Sequence, residues 1–243
     1  MTTDSMKPYG SALLAYFSGH TAAELIIRRD DGVEALIPAK HYFRGTNEFT
    51  PIETAALSQC RGHILDVGAG AGIHTLTLQS MGQEVTALDI CTEAVNIMGK
   101  RGIRNVHLSD IYAYSGERFD TLLVLGHGIG MTGNLQGLDK FLTHARHLLH
   151  SHGQVLLDSL DVAQNHDPEN ISYHETNRRA GRYIGEVRMQ IEYQGVKGPF
   201  ESWLHVDART LTVHASLTGW KCEILLEEEN GEYLARLEKA SQQ

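Results

Sequence analysis

Three glycines fall within five residues, Gly68, Gly70 and Gly72, directly after the apolar run HILDV (63–67) and before IHTLTLQSM (73–81). A chain that turns sharply from strand to helix, and lets a ligand approach its backbone, needs residues without a Cβ. Such turns serve nicotinamide, flavin, phosphate and methyl-donor chemistry alike, so the neighbouring residues must decide. A dinucleotide loop reads G-x-G-x-x-G, with a helix N-terminus cradling the pyrophosphate. Here the spacing is G-A-G-A-G, and Ile73 stands in the place of the third glycine. Asp66, two residues ahead of Gly68, sits badly beside a pyrophosphate and well beside an ammonium group. No Gly-Lys-Ser/Thr closes the loop, which argues against a phosphate-binding turn.

Two further carboxylates fall at strand ends. Asp89 lies at the end of EVTALDI (84–90), and Asp110 closes NVHLSD (105–110). In an open parallel sheet, ligands bind beyond the carboxyl ends of the strands. An acid at the second of these ends can accept from both ribose hydroxyls, and one at the third from the exocyclic amine of adenine. Adenine, ribose and an amino-acid tail together describe S-adenosylmethionine. A nicotinamide-dependent oxidoreductase is the disfavoured alternative.

The series LDVGAGAG, TALDI, HLSD, FDTLLVLGHGIG and LLHSHGQVLLDS resembles the class I S-adenosylmethionine-dependent methyltransferases over roughly residues 61–160. The resemblance implies that Gly68, Ala69, Gly70 and Gly72 wrap the methionine part, that Asp89 holds the ribose and that Asp110 faces the adenine. It extends the cofactor-binding set, which also holds Asp66, to Ile90, Ile111 and Gly126. The segments YFSG…HYFRGTNEF and ESWLHVD…GW…YLARL look like a small-molecule-type subgroup. The implied activity is methyl transfer to a small acceptor; the alternative is a catalytically silent protein that binds S-adenosylmethionine or S-adenosylhomocysteine.

Methyl transfer from a sulfonium is an in-line displacement, in which proximity and orientation carry much of the rate. A general base is needed only for a hydroxyl or a protonated amine. After FDTLLVLG the chain reads GHGIGMTG. Family members that modify amines or bases often carry Asn/Asp-Pro-Pro-aromatic at this position, so its absence argues against adenine, cytosine or protein-glutamine acceptors. His127 is the candidate catalytic residue, since an imidazole titrates near neutrality; the competing reading is a histidine merely packed on a glycine-rich loop. Tyr42 and Arg44 are candidate substrate residues, Arg44 being suited to a carboxylate. Trp203 and His205 are candidates for the acceptor pocket, with Tyr16 and His20 weaker ones. His144, His147, His150 and His152 cluster at the end of an expected helix over 135–153; the helix dipole favours cations there, and no metal site is expected.

These residues need a scaffold. From Gly62 onward strand-like and helix-like runs alternate, which predicts a parallel sheet covered on both faces. The expected fold is α/β and doubly wound: a mostly parallel seven-stranded sheet with an antiparallel final hairpin, KCEILLEEE (221–229) and EYLARLEK (232–239), around an Asn230-Gly231 turn. An N-terminal helical cap is expected over 1–55 and a methyltransferase core over 56–243, with a hairpin inserted at about 171–206. Within the cap, 11–17 reads as a helix, 22–28 as a helix or a strand, and Pro51 as a helix start.

Composition limits the partners. A chain of 243 residues with a net charge of −9 repels nucleic acid on average, and Arg178, Arg179, Arg182 and Arg188 are interrupted by Glu186. Cys60, Cys91 and Cys222 are scattered, as in a reducing compartment, and a cytoplasmic location is expected. No run of 18 apolar residues and no secretory leader is read, so no membrane partner is expected. Oligomeric state is not legible.

Overall fold

The computed structural model describes residues 1–240. In chain order the elements are α1 (Lys7–Phe17), β1 (Glu24–Arg29), β2 (Glu34–Pro38), α2 (Pro51–Gln59), β3 (His63–Val67), α3 (Ile73–Ser80), β4 (Glu84–Asp89), α4 (Thr92–Lys100), β5 (Asn105–Leu108) and β6 (Phe119–Val124). They continue with α5 (Leu135–Leu148), β7 (Leu149–Leu160), α6 (Pro168–Arg179), β8 (Glu186–Tyr193), β9 (Val196–Lys197), β10 (Glu201–Leu204), α7 (Ala208–Leu217), β11 (Trp220–Glu227) and β12 (Glu232–Lys239). The main sheet has seven strands in the order β11-β12-β7-β6-β3-β4-β5. Strand β3 is parallel to β4, β4 to β5 and β6 to β7, while β12 is antiparallel to both β7 and β11. This is the doubly wound α/β architecture expected from the sequence. Leu122, Leu123 and Val124 of β6, and Val155, Leu156 and Leu157 of β7, are fully buried, the continuous apolar pattern of strands covered on both faces.

The chain divides into two compact units. The first comprises residues 1–50, 62–116 and 188–201; the second comprises 51–61, 117–187 and the stretch from Ser202 onward. In the first unit, ELIIRR forms strand β1 rather than a helix. Ile26 and Ile27 are β-branched, and the Asp30-Asp31-Gly32 turn, with Gly32 at φ +95°, returns the chain into β2. Arg29 fixes that turn by donating to both oxygens of Asp31 at 2.8 and 2.7 Å. The N-terminal segment is thus a helix followed by a hairpin. That hairpin joins a second sheet of order β10-β8-β1-β2, with β9 on β8. Leu13, Leu25, Ala39, Ala94 and Ile97 are fully buried in one cluster with Tyr9 and Tyr193, which seats α1 and β1 over α4.

In the second unit, α5 ends at Leu148, five residues earlier than its apolar spacing suggests. Leu149 is extended and pairs with Phe119, so the chain leaves the helix to begin β7. His144 and His147 therefore lie on the helix, while His150 and His152 lie on the strand. The dipole argument holds for His147, in the last turn, and not for the other pair. No helix among the described residues is long and apolar enough to cross a membrane.

Candidate functional site

The cofactor-side residues lie in the first unit. The parallel register Val67↔Leu88 and Asp89↔Leu108 sets the carboxyl ends of β3, β4 and β5 side by side. Gly68, Gly70 and Gly72 all adopt left-handed backbone, with φ of +72°, +58° and +81°. Gly68 and Ala69 donate their N–H groups to the Leu88 carbonyl at 2.8 and 3.1 Å, which folds the turn back onto β4. A Cβ on Gly70 would lie 2.7 Å from the Tyr9 hydroxyl, and one on Gly72 would lie 2.2 Å from Ile103 Cδ1. At Gly68 a Cβ would meet open space. Two of the glycines are thus demanded by packing, and the third lies where a ligand can reach the backbone.

Asp89 is buried and gripped. Its Oδ2 accepts from Gly70 N at 2.8 Å and its Oδ1 from Cys91 N at 2.8 Å. Burial raises its carboxyl above the ordinary value, and those amides act in the opposite direction. The Ile90 backbone is a third donor to this carboxyl, and since a carboxylate offers about four acceptor positions, one remains for a hydroxyl. Asp66 is also buried, its Oδ2 accepts from Thr75 Oγ1 at 2.6 Å, and burial again raises its carboxyl. Asp110 is exposed, and its Oδ1 accepts from Tyr112 N at 2.8 Å. Ile90 is half-buried and Ile111 buried, each directly after its acid. Two acids at adjacent strand ends, beside an open glycine backbone, fit a nucleoside bearing an uncharged or cationic tail.

The N-terminal segment covers this loop. The Tyr9 ring meets Tyr42 edge-on at 5.0 Å, and burial pushes the Tyr42 hydroxyl up to about 12. Arg101 donates to the Ala71 carbonyl and stacks 5.2 Å from the Phe43 ring, which itself lies 4.8 Å from Tyr16. Arg44 donates to the His41 carbonyl at 2.7 Å and sits 5.7 Å from the Phe49 ring. Tyr42 and Tyr16 therefore belong to an aromatic layer over the loop, whereas His20 is exposed in the turn between α1 and β1.

His127 lies in the second unit. It and Gly126 both have left-handed backbone, φ +57° and +68°. For a histidine that conformation costs about 1 kcal/mol and needs a restraint. Asp158, buried on β7, supplies it by accepting from Gly126 N at 3.2 Å and His127 N at 2.9 Å. The His127 ring places Nε2 3.4 Å from Glu232 Oε1 and packs edge-on to His205 at 5.5 Å. Nδ1 of His127 and Nδ1 of His205 are both buried without a hydrogen-bond partner. Burial pulls His127 down, but the Glu232 hydrogen bond and the Asp158 charge outweigh it and leave the imidazole above its ordinary value. Burial, with His127 beside it, lowers His205 to about 4. Trp203 packs on the same loop: a Cβ on Gly130 would lie 2.0 Å from its Cε2.

Three of the candidates, His127, Trp203 and His205, are thus gathered around one loop. Asp158, Glu232 and Tyr9 belong to these arrangements and escaped sequence reasoning. Asp158 had a signal, as a lone carboxylate in the apolar strand QVLLDSL; Glu232 and Tyr9 had none. No group of three or more potential metal ligands is present among the described residues.

Residues 65–157 match the model of a family described as a methyltransferase domain. No curated protein matches the sequence. Among solved structures, an S-adenosylmethionine-dependent methyltransferase from Bacteroides fragilis, in complex with S-adenosylhomocysteine, is 32% identical, with 98% of this chain and 96% of that chain covered and a TM-score of 0.85. A methyltransferase from Methanosarcina mazei is 17% identical over 79% of this chain and 99% of that one, with a TM-score of 0.60. DhpI in complex with S-adenosylhomocysteine is 18% identical over 97% and 98% of the two chains, with a TM-score of 0.59. The last two show similarity of fold alone.

Proposed function

The chain belongs to the S-adenosylmethionine-dependent methyltransferases, and we propose that it transfers the methyl group to a small-molecule acceptor by in-line displacement. The observation that carries the family is the match to the Bacteroides fragilis enzyme along nearly the whole of both chains. The cofactor is S-adenosylmethionine, whose sulfonium supplies an electrophilic methyl carbon. In this reading Asp89 and Ile90 bind the ribose, Asp110 and Ile111 the adenine, and Gly68, Ala69, Gly70 and Gly72 line the methionine part. Asp66 supplies negative charge for the ammonium group, and Gly126 completes the set. Tyr42, Arg44, Trp203 and His205 are the proposed acceptor-side residues, with His127 as the catalytic one.

Two observations favour a small acceptor over a polymer. The net charge of −9 disfavours nucleic acid, and Tyr9 and the Phe43–Arg101 stack cover the glycine loop within its own unit. The three cysteines are unpaired, as suits a reducing, cytoplasmic compartment. The test is incubation of the protein with methyl-tritiated S-adenosylmethionine and a cell extract, followed by separation by size. Label in the small-molecule fraction supports the proposal. Label confined to protein or nucleic acid refutes the small acceptor, and no transfer at all points to the silent binding protein.

A further inference from the structure

Helix α4 has one face that its own unit leaves uncovered. Ala94, Ile97 and Met98 are buried, while Asn96, Gly99 and Lys100 are exposed and Glu93 is half-buried. This outer face floors a groove of about 760 Å3, walled by Leu14 of α1, which stays exposed, and by Val106 of β5, the last strand of the main sheet.

Gly99 has no reason within the chain. A glycine weakens a helix interior, and Gly102, with φ +88°, already supplies the left-handed residue that stops α4. A Cβ on Gly99 would meet open space, so no neighbour demands its absence. Gly10 shows the contrast: it lets α1 onto the same helix, and a Cβ there would lie 2.7 Å from Cys91 Sγ. A bare backbone on an exposed helix face admits a second backbone at close range.

The charges on this face read the same in both directions. Glu93 and Lys100 are seven residues apart, which sets them on one side of the helix and about 10 Å apart along its axis. Their midpoint falls beside Asn96. Neither forms an ion pair among the described residues. Glu93 accepts a long hydrogen bond from the Cys91 thiol, at 3.4 Å, and the cation that its charge reaches, Lys7, is bound to Asp4 at 2.7 Å.

We propose that this face is the seam of a two-fold dimer, in which α4 packs antiparallel on the α4 of a second copy of this chain. Across a two-fold axis every contact between unlike residues forms twice. Glu93 then faces the partner's Lys100, and Lys100 faces the partner's Glu93. The two Asn96 amides meet at the axis, where each can donate and accept. Gly99 makes room for the partner helix, the exposed Leu14 gains cover beside it, and the two helix dipoles run opposed. The occupant is a second copy because the pattern is its own complement. A partner of another sequence gives no reason for an acid and a base to stand at equal distances from one centre. None of these residues belongs to the cofactor-binding set, so the pairing is independent of methyl transfer.

The test is sedimentation equilibrium of the full-length protein, with folding of each variant checked by circular dichroism. The parent protein should be a dimer that dissociates on dilution. Lys100→Glu sets like charges together at both ends of the seam and should raise the dissociation constant about tenfold or more. Adding Glu93→Lys to it should restore association, since the exchanged charges are complementary again. Gly99→Leu should give a folded monomer, because the new side chain enters open space in one copy and blocks the second. A parent protein that stays monomeric up to about 0.1 mM overturns the proposal. So does a dimer indifferent to both Lys100→Glu and Gly99→Leu, which places the interface elsewhere. A folded double variant that remains dissociated overturns the antiparallel pairing; should that variant not fold, Gly99→Leu decides alone.

Discussion

Asp89 commits one oxygen to Gly70 and the other to Cys91, so a single side chain both folds the glycine turn and faces the proposed ribose. Asp89→Ala should therefore weaken S-adenosylmethionine binding by about 1–3 kcal/mol, the usual loss for a hydrogen bond to a charged group. An unchanged Kd by calorimetry would mean that the ribose is held elsewhere. The glycines separate structure from ligand. Gly72→Ala places a Cβ 2.2 Å from Ile103 in left-handed backbone, and should lower unfolding stability by about 1–3 kcal/mol in denaturant titrations. Gly68→Ala meets open space, so its stability loss should stay near the 1 kcal/mol of the backbone term while cofactor affinity falls. At this scale the sequence was informative where backbone sterics dictate a residue type, as at Gly70 and Gly72, where a Cβ would clash. Glu232 was invisible because its role depends on a partner distant in the chain, and nothing in its neighbours marks it.

Strands and helices of the parallel core were legible because their periodicities differ and each is bounded by a turn. Leu122, Leu123 and Val124 form a continuous apolar run in β6 and lie inside the sheet, as such a run must. The ends of elements were less legible. The leucine spacing of α5 continues into residues that tertiary pairing with Phe119 turns into strand. Residues 22–28 carried no decisive period, and β1 became a strand through partners on both sides, β2 and β8. That second sheet joins segments far apart in the sequence, which no local pattern reveals. Leu25 is the fully buried residue of β1, and Leu25→Ala should cost about 2–5 kcal/mol, as large-to-small changes in a packed core do. Thermal melts would show it. A loss below 1 kcal/mol would mean that the β1–β2 hairpin contributes little to the first unit.

For the whole molecule, the two histidines beside one loop give opposite pH dependences. His205 is depressed to about 4 from an ordinary 6.5, so the unfolded chain binds its proton first as the pH falls. Stability attributable to keeping it neutral is intact above about pH 6.5 and is lost between there and pH 4, by on the order of 3 kcal/mol. His127 is raised, so its contribution is complete below about pH 6.5 and fades as the pH rises through the folded value. Denaturant titrations of His205→Gln across pH 4–8 should show a flatter acid limb than the parent protein. An unchanged limb would mean that His205 is protonated in the fold as readily as outside it.

The cofactor links all three scales, since its proposed ligands are single residues, its loop joins two elements, and its binding stabilises the entire chain. Bound at a concentration 100 times its Kd, a ligand adds about 2.7 kcal/mol to unfolding stability. The most direct measurement is calorimetric titration of the protein with S-adenosylmethionine and, separately, with S-adenosylhomocysteine. Saturable one-to-one binding of both, weakened in Asp89→Ala, is the predicted result. No heat and no thermal stabilisation from either ligand would contradict the account at its base and leave the three glycines as a turn between β3 and α3.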